Sequence, residues 1–242
     1  MSELAWITGA SRGIGRSIAI KLAKEGYRLA LCCKTSIQEL NEVKDECEGF
    51  GTICRIYRCD VAKPNMVEET SKRIQEELGK VSLLINNAGI SYVGLLSEMK
   101  TADWAFIINT NLSSVFYTCK EVIPSMVHKK HGRIINISSV WGTYGASMET
   151  AYSASKGGVN ALTKSLAKEL APSGIAVNAL ACGLIDTEMN RHLSEDEISA
   201  LLEDIPTGQI GTSEEAADMV YMLAKAPLNF TGQIVTLDGG WK

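Results

Sequence analysis

The chain has 242 residues, 45% of them hydrophobic, enough to bury a core as one large domain or two small ones. A net charge of −4, from 24 basic and 28 acidic residues, argues against non-specific nucleic-acid binding, which depends on neutralising phosphates. The seven cysteines are odd in number and include no C-x-x-C pair, and no stretch reaches the roughly 18 apolar residues of a membrane span, so a reduced, cytoplasmic protein is expected, neither exported nor membrane-inserted.

In chain order, short apolar runs alternate with segments of helical period. "LAWIT" (4–8) precedes a helical segment at 14–25, and "RLALCC" (28–33) precedes one from Ile37 to Cys47. Next come "TICRIYRC" (52–59), a helix near 65–78, "VSLLIN" (81–86), and a long helix from about 102 to 130 that Pro124 bends or ends. "RIINIS" (133–138), a helix near 150–171, "GIAVNAL" (174–180), a helix near 213–225 and "QIVTL" (233–237) complete the series. Seven strands alternating with about six helices predict an α/β domain, a parallel sheet covered on both faces and joined by right-handed crossovers. No linker or repeat interrupts it, so residues 1–242 are read as one domain. The polar segment 186–208 breaks the rhythm after the sixth strand. Its place at a strand's carboxyl end, where open α/β sheets bind ligands, predicts a substrate lid.

"TGASRGIG" (8–15) follows the first strand and opens the first helix, with Gly9, Gly13 and Gly15 spaced G-x3-G-x-G. Glycines let the backbone approach a bulky anion, and a helix N-terminus offers it unpaired N–H donors and a positive partial charge. In this context the loop predicts dinucleotide binding, through Gly9, Ser11, Arg12, Gly13, Ile14 and Gly15. At the end of the second strand an NAD site usually carries an acid for the ribose 2′-OH. Here Cys32, Cys33 and Lys34 stand there instead, and Lys34 with Arg12 can pair with a 2′-phosphate, which predicts NADP(H).

Together with that loop, "NNAG" (86–89), "INISS" (135–139) and Tyr152-x3-Lys156 make the chain resemble the short-chain dehydrogenase/reductase family from Ala5 to Gly240. Within it, "LINNAGI", "GRIINISSVWG", "YSASKGGV" and "TGQIVTLDGG" are most similar to the bacterial 3-oxoacyl-[acyl-carrier-protein] reductases. The resemblance implies a Rossmann-type doubly wound sheet and a catalytic set of Asn111, Ser139, Tyr152 and Lys156. Tyr152 would protonate the carbonyl oxygen as hydride arrives. An ordinary phenol has a pKa of about 10, and Lys156, one helical turn on, favours the phenolate by its charge. Ser139, thirteen residues before Tyr152, would hydrogen-bond the substrate oxygen, with Ser138 on the other side of the strand. Asn111 would hold a helix kink and a water beside the lysine, with Asn109 as its neighbouring competitor.

The resemblance further implies adenine contacts from Asp60 and Val61, adenosine-ribose contacts from Asn87, Ala88 and Gly89, and nicotinamide contacts from Tyr152, Lys156, Gly183, Ile185 and Thr187. Where relatives mostly have Pro-Gly this chain has Cys182-Gly183, and losing proline frees φ and restores an N–H, which predicts a looser loop. His128, His131 and His192 show no metal-ligand spacing, and no metal is expected. Trp6, Trp104, Trp141 and Trp241 are read as core or interface rather than substrate clamps, although Trp141 and Tyr144 follow Ser139 closely enough to line a pocket, and "HKKHGR" (128–133) is either solvated surface or a dock for an acidic carrier protein through Lys129, Lys130 and Arg133.

The expected reaction is reduction of a 3-oxoacyl thioester, carried by acyl-carrier protein or coenzyme A, by a homotetramer whose helices near 102–130 and 150–171 pair between subunits. The alternatives are another short-chain oxidoreductase acting on acetoacetyl-CoA, a sugar or a steroid, and a non-catalytic dinucleotide sensor. Acyl chain length, carrier and physiological direction are not legible.

Overall fold

Residues 2–190 and 194–242 are described by the structure, a computed structural model. The apolar runs form seven strands: β1 (Leu4–Thr8), β2 (Arg28–Cys33), β3 (Cys54–Arg58), β4 (Leu83–Asn86), β5 (Gly132–Ser139), β6 (Ile175–Cys182) and β7 (Ile234–Leu237). They build one sheet in the order β3-β2-β1-β4-β5-β6-β7, every pairing parallel. Near-continuous burial along β1, β2, β5 and β6 is what a sheet covered on both faces demands.

Side chains alternate between the two faces, and each face has its own apolar core. Ala5 and Ile7 pack under α1 (Gly13–Lys24), α2 (Ile37–Gly49) and, near the chain's end, α9 (Ser213–Lys225), through Ile18, Leu22, Leu40 and Val220. Leu4 and Trp6 face the other core, with Val67 of α3 (Pro64–Glu77), Val115 and Val122 of α5 (Ser114–Lys129), and Val159 of α7 (Thr150–Leu170). The fold is a doubly wound α/β sheet of Rossmann type.

The single long helix expected over 102–130 is divided. α4 (Thr101–Ile108) passes into one wide turn of π-helix at Asn109–Ser113 before α5 begins, and Pro124 sits inside α5 without ending it. A buried polar ladder fixes the helices of this face to the strands. Thr118 Oγ1 donates to Asn86 Oδ1 (2.6 Å), Asn86 Nδ2 to Asn136 Oδ1 (2.9 Å) and Asn136 Nδ2 to Thr163 Oγ1 (2.9 Å), joining α5, β4, β5 and α7 in one chain of bonds.

After β6, the segment expected to be a lid holds a short turn at Glu188–Asn190 and α8 (Glu195–Asp204), which starts from a capping box between Ser194 and Glu197. Arg191, His192 and Leu193 lie outside the described residues. The remaining helix, α6 (Trp141–Tyr144), is a single turn following β5.

Candidate active site

Strand order reverses between β1 and β4, the point at which open α/β sheets leave a crevice beyond the strands' carboxyl ends. A cavity of about 770 Å³ lies there, lined by the glycine loop at one end and by Ser139, Tyr152 and Lys156 at the other.

The loop is shaped by contact. A Cβ on Gly9 would lie 2.8 Å from Ala88 Cα, and one on Gly15 would strike the Gly9 carbonyl and the Asn87 amide. Gly9 (φ +66°) and Gly13 (φ +52°) also take left-handed backbone that favours glycine. Asn87 Nδ2 donates to the carbonyls of Thr8 (3.0 Å) and Gly9 (2.9 Å), bracing β1 against the end of β4. Thr8, which sequence reasoning passed over, is the centre of this joint: its hydroxyl accepts from the N–H groups of Asn87 and Ala88, both at 3.0 Å. A threonine ending a strand just before a glycine loop was the available signal.

No side chain caps α1, so the first-turn N–H groups of Gly13, Ile14 and Gly15, at the cavity wall, are left for an anion. That cradle of bare backbone fits a dinucleotide pyrophosphate. Ser11, Arg12, Asp60, Val61, Ala88, Gly89, Gly183, Ile185 and Thr187 line the same cavity. Lys34 is there too, 3.1 Å from Asp60 Oδ2 and with its ammonium 5.0 Å from the Phe106 ring centre. Arg12 lies 3.9 Å from Glu188. Both cations expected to meet a 2′-phosphate are therefore already beside a carboxylate, an arrangement that sequence alone did not suggest.

β5 ends at Ser139, and α7 carries Tyr152 and Lys156 on one face, a turn apart. Ser139 and Tyr152 both face the cavity, and the Ser139 hydroxyl is close enough to act on the Tyr152 phenol. Ser138 is committed elsewhere, donating to Asn160 Oδ1 at 2.6 Å. Lys156 is buried, donates to the Ile137 carbonyl at 2.8 Å, and holds its ammonium 5.7 Å from the centre of the Tyr152 ring. Asn111 is buried in the π turn, where Oδ1 accepts from Ile90 N (2.9 Å) and Nδ2 donates to Ile90 O (2.8 Å) and Ser155 Oγ (3.0 Å). A Cβ on Gly89 would lie 3.5 Å from Lys156 Nζ and 3.6 Å from Asn111 Oδ1, so these two polar groups flank one glycine. Asn109 is exposed, and among the described residues its side chain bonds within its own turn, accepting from Ser113 Oγ.

Burial pushes the Tyr152 phenol up, with the Ser139 hydrogen bond opposing it, and brings the Lys156 ammonium down to about 8. Lys156 turns its ammonium toward the Ile137 carbonyl, and burial is the largest influence on the phenol. A neutral phenol is the form that has a proton to give. Cys182 is buried and its thiol is pushed up to about 12, which makes it inert. The looser loop predicted there is not found: Cys182 remains in the β ladder, its carbonyl accepting from Val140 N (3.0 Å), and Gly183 N donates to Leu237 O (2.8 Å).

Trp141 lines the cavity, whereas Tyr144 points largely to solvent and is not at its wall. Leu201, from the segment expected to be a lid, lines it as well, as do Phe106 and Trp241, which were not expected at this wall. The basic turn 128–133 lies at the start of β5, so within one chain it is about 25 Å from Ser139 by strand rise.

A family model described as short chain dehydrogenase matches residues 3–198. The chain belongs to the short-chain dehydrogenases. Such enzymes use a nicotinamide dinucleotide, the group that the cradle of α1 fits. This short-chain dehydrogenase is 41% identical over 239 residues to the 3-oxoacyl-[acyl-carrier-protein] reductase FabG of Escherichia coli strain K12, covering 98% of this chain and 96% of that one. It is 40% identical over 241 residues to the reductase of the same name from Staphylococcus epidermidis strain ATCC 35984, covering 99% of each, and 39% identical to that of Staphylococcus aureus strain Mu50, covering 99% and 98%.

Proposed function

We propose that the chain is an NADPH-dependent 3-oxoacyl-[acyl-carrier-protein] reductase of fatty-acid synthesis. The observation that carries this reading is identity of 39–41% over nearly the whole chain with reductases of that one printed activity. The geometry supports it by opening Ser139, Tyr152 and Lys156 on the same cavity as the glycine loop.

When bound, the nicotinamide supplies the hydride. Ser139 and Tyr152 hold the ketone oxygen between two hydroxyls, and Tyr152 gives it a proton as the carbon becomes tetrahedral, so the C=O gains H⁻ and H⁺ and becomes a hydroxyl. Lys156, near 8, exchanges protons readily at cellular pH and returns one to Tyr152, with Asn111 beside it in the relay. Lys34 and Arg12 leave their carboxylates to meet the 2′-phosphate, which is the basis for NADPH over NADH.

Segment 186–208 acts as the lid of a single domain. In support, Thr187, Met189, Asn190 and Leu201 line the cavity. We place the enzyme in the cytoplasm; among the described residues no helix is long and apolar enough to cross a membrane. Trp104 and Phe116 are exposed on α4 and α5, the face through which a homotetramer would assemble.

The test is NADPH oxidation with 3-oxoacyl thioesters on carrier protein and on coenzyme A, repeated with NADH and with Tyr152→Phe. Turnover that falls about 10²- to 10⁴-fold in Tyr152→Phe is expected. No thioester turnover, with activity on a sugar or steroid ketone instead, would sink the substrate assignment.

A further inference from the structure

Beside Ser139 the cavity is lined by two indoles that come from distant parts of the chain. Trp141 and Trp241 meet edge to face, ring centres 4.9 Å apart at 64°, and both line the cavity. The Lys242 ammonium lies 4.7 Å from the centre of Trp241 and 5.5 Å from that of Trp141, holding the pair from outside. Each indole is anchored. Trp141 N donates to Ser139 Oγ at 3.2 Å, tying this wall to the reacting centre. Trp241 is carried by a turn in which the Asp238 carboxylate accepts from Gly240 N and Lys242 N, both at 3.0 Å. Gly239 and Gly240, at φ +67° and +83°, pack that turn on Ile205, Pro206 and Thr207.

Resting on the 3-oxoacyl thioester reading, we infer that Trp141 and Trp241 determine acyl chain length, as a wall that stops the alkyl tail a few carbons beyond the reacting ketone. The preferred substrate is a short 3-oxoacyl thioester, and a longer tail has to displace Trp241. Neither indole takes part in the chemistry; their effect is steric.

The test compares kcat/KM for four-carbon and eight-carbon 3-oxoacyl-CoA with NADPH, in the parent, Trp141→Ala, Trp241→Ala and Trp241→Phe, with NADPH binding measured beside it as a report on the fold. The expected parent prefers four carbons at least about tenfold, and each alanine variant raises the eight-to-four ratio by about tenfold or more, the worth of one or two methylenes in a pocket. Trp241→Phe shifts the ratio less, and it carries the comparison should an alanine variant fail to fold. An unchanged ratio in variants that bind NADPH, an equal loss at both lengths, or a parent that prefers eight carbons overturns the wall while leaving the reductase reading intact. A parent that binds NADPH but reduces neither thioester overturns the reductase reading, and the wall with it.

Discussion

Replacing Lys156 with methionine, which keeps length and volume but removes the charge, should make the protein no less stable near neutrality while abolishing turnover. Burial lowers Lys156 from the ordinary lysine value of 10.5 to about 8. At 1.36 kcal/mol per unit, that gap is a penalty of about 3 kcal/mol on the folded state wherever the group is charged in both states. Against the relief stands the Ile137 carbonyl, which loses its 2.8 Å donor and costs about 1–3 kcal/mol as an orphan. The net expectation at pH 7 is a gain of about 0–2 kcal/mol.

The pH dependence isolates the cause. The unfolded chain keeps this proton up to about pH 10.5 and the folded chain releases it near 8, so between those values the unfolded state binds more protons and parent stability rises with pH. Cys182 acts in the opposite sense, its folded value raised to about 12 against the lowering influence of Lys156, and without that lysine it stays protonated over the same range, so it adds nothing to the difference. The difference between parent and variant should therefore move by about 2.5 kcal/mol in the parent's favour from pH 7 to 10, or roughly 5–10 °C in Tm for a domain of this size. Thermal or urea unfolding at several pH values, without cofactor, measures it. A Lys156→Met protein clearly less stable than the parent at pH 7, or a difference that stays flat with pH, refutes the reasoning.

Gly15→Ala should leave the protein folded, at a cost of about 1–3 kcal/mol, but with dinucleotide binding largely lost, because its new methyl strikes the Gly9 carbonyl; isothermal titration with NADPH measures both the affinity and its recovery on reversion. Lys34→Ala should raise KM for NADPH about tenfold or more and leave that for NADH nearly unchanged, read from initial rates with each cofactor. Asn111→Ala should destabilise the fold by on the order of 3 kcal/mol in urea unfolding, since it strips partners from Ile90 N, Ile90 O and Ser155. Cys182 should resist iodoacetamide at pH 8 in the native protein and react only on unfolding, as peptide mass spectrometry would show.

Strands and crossovers were legible because runs such as "LAWIT" and "RLALCC" are short, apolar and bounded, and the strands they form begin and end where the runs do. The positions of Tyr152 and Lys156 were legible for the same local reason, as one helical turn brings them to one face. What escaped was set by partners distant in sequence. The π turn at Asn109–Ser113, the kink that only the resemblance implied at Asn111, is pinned by that side chain bonding to Ile90, and nothing in "NTNLSS" by itself distinguishes it from an ordinary helix. Lys34 meets Asp60 because β2 and β3 end side by side. The contact of the Lys156 ammonium with the Ile137 carbonyl also escaped, because spacing places the lysine near Tyr152 but not the way its ammonium turns.

The ladder from Thr118 through Asn86 and Asn136 to Thr163 makes accuracy a property of residues that never meet substrate. Apolar side chains of similar size could fill the same volume and keep the helices on the sheet. They could not tell one rotation of α7 from a slightly different one, whereas donors and acceptors in series accept only a single alignment. Tyr152 and Lys156 ride on that helix and Ser139 on that strand, so the joint works as a keyway: it sets where two machined parts stop turning, and the distance between acid and ketone is inherited from it.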